Sequence, residues 1–186
     1  MGSEDETVLF FMGWLYDFSG IREVAYSLVN HEGSSMIKLL ILGRGDLYEE
    51  LLVLKQKKLD DKLILVDWQP YEKVPNYIAA SDICLLPALN NEVMRNIVPI
   101  KLYEYMACGK PVITTSLPGI MGEFGHDNGV IYVNRPEEVV SKTVELTRNR
   151  KRLREIGLRA AEYVQRKSWQ NITGQFESHL ENVLGD

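Results

Sequence analysis

Cysteine is nearly absent from this chain, with two residues, Cys84 and Cys108, in 186. They fall in segments that read as a strand and a helix end. The three histidines, His31, His126 and His179, are scattered, so neither a disulfide framework nor a metal site is expected. Long apolar runs are also missing, since none approaches the roughly 18 residues that mark a membrane span. The opening "MGSEDET" has no basic n-region and no apolar h-region, and a reducing, cytoplasmic setting is expected. Positive charge is scarce: 21 Lys and Arg stand against 26 Asp and Glu, a formal net charge of -5. Nucleic acid is therefore not the expected partner, because phosphate backbones are bound by basic faces, and an anionic ligand needs a local cation. No internal repeat and no low-complexity tract is visible.

What is present is the balance of an ordinary globular domain, 45% hydrophobic and 25% charged. One domain over 1–186 is expected, with a core over about 7–150 and C-terminal helices over about 151–184. The runs "TVLFFMG", "MIKLLILG", "KLILVD", "DICLLP", "PVITTS" and "GVIYV" read as strands separated by amphipathic stretches. Such alternation predicts an α/β fold, a doubly wound Rossmann-like parallel sheet of about six strands. "LLIL" and "LILV" lack polar alternation, so both faces of those strands should be covered by helices. Helices are predicted over 20–30, 47–57, 71–80, 99–107 and 136–149. Two more follow in "RKRLREIGLRAAEYVQRK" and "SWQNITGQFESHLENVLG", the second capped by Ser168.

Ligands of open parallel sheets sit beyond the carboxyl ends of the strands, so the loops that follow strands are the candidates. After the first strand comes "GWLYDFSG", Gly13 to Gly20, and after the second comes "GRG", Gly43 to Gly45. Neither matches G-x-G-x-x-G or G-x-x-x-x-G-K-[ST]; the glycines fit a phosphate cradle or simple tight turns. After the fourth strand runs a longer loop, "PALNNEVMRNIV". Pro99 suits the first helical position, which leaves the amides of Ile100, Lys101 and Leu102 pointing out of the first turn. Lys101 is a cation at the positive end of that helix, a conflict that a bound anion would remove. Glu104, three residues on, has two readings: a carboxylate that accepts hydrogen bonds from vicinal hydroxyls such as those of ribose, or the partner of Lys101 in an intrahelical ion pair. Spacing alone does not choose between them.

The stretch "SDICLLPALNNEVMRNIVPIKLYEYMACGKPVITTSLPGIMGEF" resembles the nucleotide-sugar-binding half of GT-B glycosyltransferases, specifically the retaining family 4, glycosyl transferases group 1. Its helix follows the family pattern P-x-K-x-x-E-Y-M-A-x-G-x-P-V. "LLILGRGDLYEEL", "WQPYEKVPNYIAASD" and "SWQNI" extend the resemblance over nearly the whole chain, but only to the C-terminal domain of such enzymes. The resemblance implies that Glu104 is the second glutamate of an E-x7-E motif and binds the donor ribose. It also implies that the amides of Ile100, Lys101 and Leu102 hold the diphosphate, and that "VDWQPY", with Trp68, lines the base pocket. There Trp68 is a stacking residue or simply a core or surface tryptophan. Three positions depart from the family. Asn96 stands where the first glutamate of the motif contacts the sugar, and Trp14 and Ser19 stand near Gly20 where an arginine and a lysine grip the phosphates. Lys101 and Arg95 would supply part of that charge.

The implied function is the donor half of a retaining transferase that moves a sugar from a nucleoside-diphosphate sugar to an acceptor hydroxyl. No cofactor is implied. The acceptor site and the catalytic groups, a histidine among them, belong in this reading to an N-terminal domain of the same full-length protein, through which any membrane association would run. A sugar-nucleotide epimerase of the same fold and a non-catalytic nucleotide-sugar-binding module are the alternatives. A response-regulator-like domain is disfavoured, because no acidic pair ends the first strand.

Overall fold

The computed structural model describes residues 6–184 and shows the six apolar runs as one parallel sheet. The opening residues 1–5, part of the segment read above for a leader, lie outside that range. The strands are β1 (Thr7–Met12), β2 (Ile37–Leu42), β3 (Leu63–Val66), β4 (Ile83–Leu86), β5 (Val112–Thr115) and β6 (Val130–Val133), in the order β3-β2-β1-β4-β5-β6. Every pairing is parallel. The four inner strands are almost wholly buried, as unbroken apolar runs require when helices cover both faces. At β3 the sequence expectation is corrected: "LILV" forms an edge strand whose Ile64 is exposed and whose Leu65 and Val66 are half-buried. Residues at the end of a sheet lie beyond the cover that the flanking helices give its centre.

Helices α1 (Ile21–Asn30), α2 (Tyr48–Lys58) and α6 (Glu138–Thr147) close one face of the sheet, through residues such as Leu28, Leu51 and Val140. On the other lie α3 (Val74–Ala79), α4 (Lys101–Ala107), α5 (Pro118–Phe124) and α7 (Arg150–Gln165), through Ile78, Tyr105, Phe124 and Val164. The predicted helix at 71–80 is split: a 3-10 turn at Tyr71–Lys73 precedes α3, whose first turn holds Pro75, a residue with no N–H to donate.

Helix α5 has no counterpart in the sequence prediction. Two glycines in seven residues give "PGIMGEF" a poor intrinsic helix propensity, and it folds because Ile120 and Phe124 are buried beneath it. After α7, Ser168 accepts a hydrogen bond from the amide of Asn171 at 3.3 Å and caps α8 (Trp169–Leu184). No residue of α8 is buried. Among the described residues, no helix is long and apolar enough to cross a membrane.

Candidate functional site

The chain lays down β1, β2 and β3 in one direction and then returns to place β4 on the other side of β1, so the strand order reverses between β1 and β4. Their pairing covers Leu9 with Ile83 and Phe10 with Cys84 and ends before Met12. The two strands therefore part at their carboxyl ends, and the crevice between them is where open α/β sheets bind ligands. A cavity of about 210 Å³ sits there. The loop after β1 lines it with Trp14, Tyr16, Phe18 and Ser19, the segment after β4 with Met94, Ile97 and Pro99, and α4 with Lys101.

The floor is set by one residue, Met12. Gly13 donates to Leu42 on the β2 side at 3.0 Å, so by strand alternation the N–H and C=O of Met12 point toward β4, which has already moved away. Helix α4 supplies both partners. The buried Tyr105 hydroxyl accepts from the Met12 amide at 3.0 Å, and the Lys101 ammonium donates to the Met12 carbonyl at 3.0 Å. These residues are four apart and share a helix face.

Lys101 is half-buried as a residue, with its ammonium turned inward 4.7 Å from the centre of the Phe11 ring. Burial pushes its pKa down to about 8, against a small upward pull from Glu104. It forms no ion pair among the described residues. Of its three N–H donors, the Met12 carbonyl engages one.

Glu104 is not paired with Lys101. One of its oxygens, Oε1, accepts a 2.8 Å hydrogen bond from the hydroxyl of Tyr71, at the 3-10 turn after β3. That bond holds the phenol's proton and raises the Tyr71 pKa. Beside it, Trp68 packs on Trp14 with ring centres 6.2 Å apart, and the row continues through Tyr16 to Phe18 at 6.1 and 4.8 Å. The turns after β1 and β3 thus form one aromatic wall facing α4.

The remaining predicted residues divide into two groups. Gly13 and Gly43 are used by the sheet: a Cβ on Gly43 would lie 2.1 Å from the Gly13 carbonyl oxygen, and the Gly43 amide donates to Val66 at 2.9 Å. Gly43 is thus a close-approach glycine with its amide engaged, rather than an open cradle. Gly13 borders the site, for a side chain there would meet the Lys101 ammonium at 2.9 Å. Gly20 has φ 72°, and a Cβ would come 1.8 Å from the Pro87 carbonyl oxygen, so it locks the β1 loop against the β4 loop. Ser19 is buried at the cavity wall, its hydroxyl 3.4 Å from the Ile21 amide.

At α4 the helix begins at Lys101, two residues later than predicted. The Leu102 amide donates to Pro99 at 3.1 Å in a 3-10 bond, which corrects the expectation that it points free. The amides of Ile100 and Lys101 have no acceptor among the described residues. The Leu102 side chain is in the core and that of Ile100 is exposed. Asn96 is exposed at the rim, its side chain without a partner among the described residues, and Arg95 likewise forms no ion pair there. Gly119 of α5 holds this stretch: its amide donates to Arg95 at 2.8 Å, and a Cβ would lie 2.7 Å from the Asn96 carbonyl carbon.

The site is thus a switch-point crevice with an inward-turned lysine and a glutamate one turn further along the same helix. The family model described as Glycosyl transferases group 1 matches residues 6–149. The chain belongs to that family. It is similar to the amylovoran biosynthesis glycosyltransferase AmsK of Erwinia amylovora, 33% identical over 104 residues that make up 54% of this chain and 25% of that one. A chitobiosyldiphosphodolichol beta-mannosyltransferase of Debaryomyces hansenii is 28% identical over 119 residues, 62% of this chain and 25% of that one. In fold the chain resembles Alr3699/HepE of Anabaena, solved in complex with UDP, with a TM-score of 0.81 at 16% identity over 96% of this chain and 49% of that one. It therefore spans about a quarter of the curated relatives and about half of the solved neighbour.

Three contributors to this group 1 glycosyltransferase domain escaped the sequence reading. Tyr105 was within reach, because its i+4 spacing from Lys101 places both on one face. Tyr71 lay in the quoted "VDWQPY", but its bond to Glu104 spans 33 residues and no local pattern shows it. Gly119 was hidden in a helix whose composition argues against a helix.

Proposed function

We propose that this domain is the donor-binding half of a retaining glycosyltransferase, holding a nucleoside-diphosphate sugar in the β1–β4 crevice. In this reading the diphosphate lies at Lys101 and the free amides of Ile100 and Lys101, the ribose at Glu104, and the base against the turn bearing Trp68. As the sugar–phosphate bond breaks, charge grows on the departing diphosphate, and a fixed ammonium in a water-poor crevice stabilises that charge more than it does the ground state. The acceptor hydroxyl and the remaining catalytic groups come from a second domain. Two facts support a missing half: the chain covers 49% of a solved neighbour of the same fold, and α8 carries an unpartnered apolar stripe. HepE, whose structures include UDP and UDP-glucose complexes, supplies the analogy for the ligand class.

The observation that carries this reading is the inward-turned Lys101 ammonium, lining the switch-point cavity without a carboxylate partner among the described residues, one turn before Glu104. Calorimetry with UDP, GDP and the corresponding nucleosides tests it. Lys101→Ala is expected to weaken the diphosphate much more than the nucleoside. Glu104→Ala is expected to weaken the diphosphate by about 1.5–3 kcal/mol, as for hydrogen bonds to a charged group. Equal losses for both ligands in the lysine variant would remove Lys101 from phosphate binding, and unchanged affinity in the glutamate variant would remove the ribose role.

One observation favours a second reading, a binding module without catalysis. Asn96, Trp14 and Ser19 occupy positions where the family pattern has a glutamate and two cations, and the nearby Arg44 and Arg22 are already matched by Asp67, Asp17 and Glu50 at 2.8–2.9 Å. Transfer by the complete two-domain protein separates the two readings.

A further inference from the structure

The turn after β3 and helix α4 stand on opposite sides of the space that, in the donor-site reading, the ribose must enter. That space is bridged directly, because the Tyr71 hydroxyl donates to Glu104 Oε1 at 2.8 Å. Tyr71 is 69% exposed, so little packing holds it in place and its ring is free to swing away. The other Glu104 oxygen has no partner among the described residues. A vicinal diol donates two hydrogen bonds, and a carboxylate carries about four lone-pair sites on its two oxygens, so the diol contends with the phenol for the sites that face the gap. One of those acceptor positions is already filled from across the gap.

We infer that Tyr71 sets the affinity of this site for ribose hydroxyls by competing with them for Glu104: the phenol holds the carboxylate and gives way when the diol binds. This inference rests on the donor-site reading and adds to it a residue that opposes binding. Its physical content is an exchange of donors. The ligand replaces one phenolic hydrogen bond with two from the diol, so net binding is weaker than two new bonds to a free carboxylate would give. Trp68, three residues earlier on the same turn, packs on Trp14, which anchors the turn while Tyr71 moves. The phenol, whose pKa the bond to Glu104 raises further from an already alkaline value, is protonated and able to donate at neutral pH.

Tyr71→Phe keeps the ring and removes only the donor. The test compares the wild-type chain, Tyr71→Phe, Glu104→Ala and the double variant by calorimetry with UDP, GDP and inorganic pyrophosphate. A typical net hydrogen bond of about 0.5–1.5 kcal/mol converts to roughly 2- to 12-fold in affinity. Tyr71→Phe is therefore expected to bind whichever nucleoside diphosphate the wild type binds about 2- to 12-fold tighter. The gain should vanish in the Glu104→Ala background, and pyrophosphate, which has no diol, should bind both forms equally. Nucleoside-diphosphate binding that is unchanged or weakened by Tyr71→Phe, while Glu104→Ala still weakens it, would leave the donor site standing and overturn the competing role. An equal gain for pyrophosphate would overturn it as well, since the effect would not pass through the diol. If neither nucleoside diphosphate binds the wild type or Tyr71→Phe, the donor-site reading and this inference fail together.

Discussion

Helices α4 and α8 are opposites. α4 has seven residues, too few to be stable alone, yet Leu102, Tyr105 and Met106 are fully buried and Lys101, Tyr105 and Glu104 each bond to a strand end or turn far away in sequence. α8 has sixteen residues, an N-cap and a regular apolar spacing, yet buries none of them. Trp169, Ile172, Phe176, Leu180 and Val183 recur at intervals of three and four along it and are all exposed. Amphipathic pattern thus predicts a helix but not its partner. α4 has its partner within this chain, and α8 has none among the described residues.

The largest test of that contrast concerns what would cover α8. If the missing face belongs to a second domain, the isolated chain is expected to show no multiple-turnover transfer from any sugar nucleotide, whereas the chain joined to an N-terminal acceptor domain turns over. Holding donor, acceptor and polar groups together is worth up to about 7–11 kcal/mol of barrier. Sustained transfer by the isolated chain in a panel of donors and acceptors would break the comparison.

A smaller effect tests how firmly α4 is built in. Tyr105→Phe leaves the buried Met12 amide without its acceptor, and urea unfolding should show a loss of about 1–3 kcal/mol. A loss well below that range would mean that the crevice floor is wet.

Next comes the charge on α4. Burial lowers the Lys101 pKa to about 8, and a diphosphate needs the protonated form. Affinity is therefore expected to fall by roughly tenfold between pH 7 and pH 9, a change of about 1.4 kcal/mol that should be absent in Lys101→Ala. The empty protein should respond in the opposite sense. Above pH 8 the unfolded chain holds a proton that the folded chain has released, so stability rises with pH toward the ordinary lysine value.

The smallest effect is predicted for α8. Ending the chain after Lys167 should change the unfolding free energy by less than about 0.5 kcal/mol, as for surface positions that bury nothing. The ion pair from Lys167 to Glu123 at 2.9 Å would remain. A cost of several times that figure would show that α8 is packed in solution.

Legibility in the sequence followed the range of the interactions. All six strands were visible because a short apolar run such as "LLIL" is a local signal of a strand in a covered sheet. Helix α5 was not visible, because its stability comes from burying Ile120 and Phe124 and from the fit of Gly119 against Asn96, none of which is local. The cation and carboxylate on α4 were singled out in the sequence, but the local account of their pairing, an ion pair with each other, gave way to long-range partners, Met12 and Tyr71.

The sequence by itself determined the alternation of strand and helix, the scarcity of cations and the placement of Lys101 and Glu104 on one short helix, because each is a property of neighbours along the chain. Only the tertiary structure decided that β4 returns beside β1 and that Lys101 turns inward to the carboxyl end of β1, which β4 leaves unpaired. It alone brought Tyr71 across the gap to Glu104 and left the stripe on α8 uncovered. Those outcomes depend on which surfaces meet when the sheet closes, and hydrogen bonds between residues 33 and 89 positions apart leave no periodic trace in the chain that makes them.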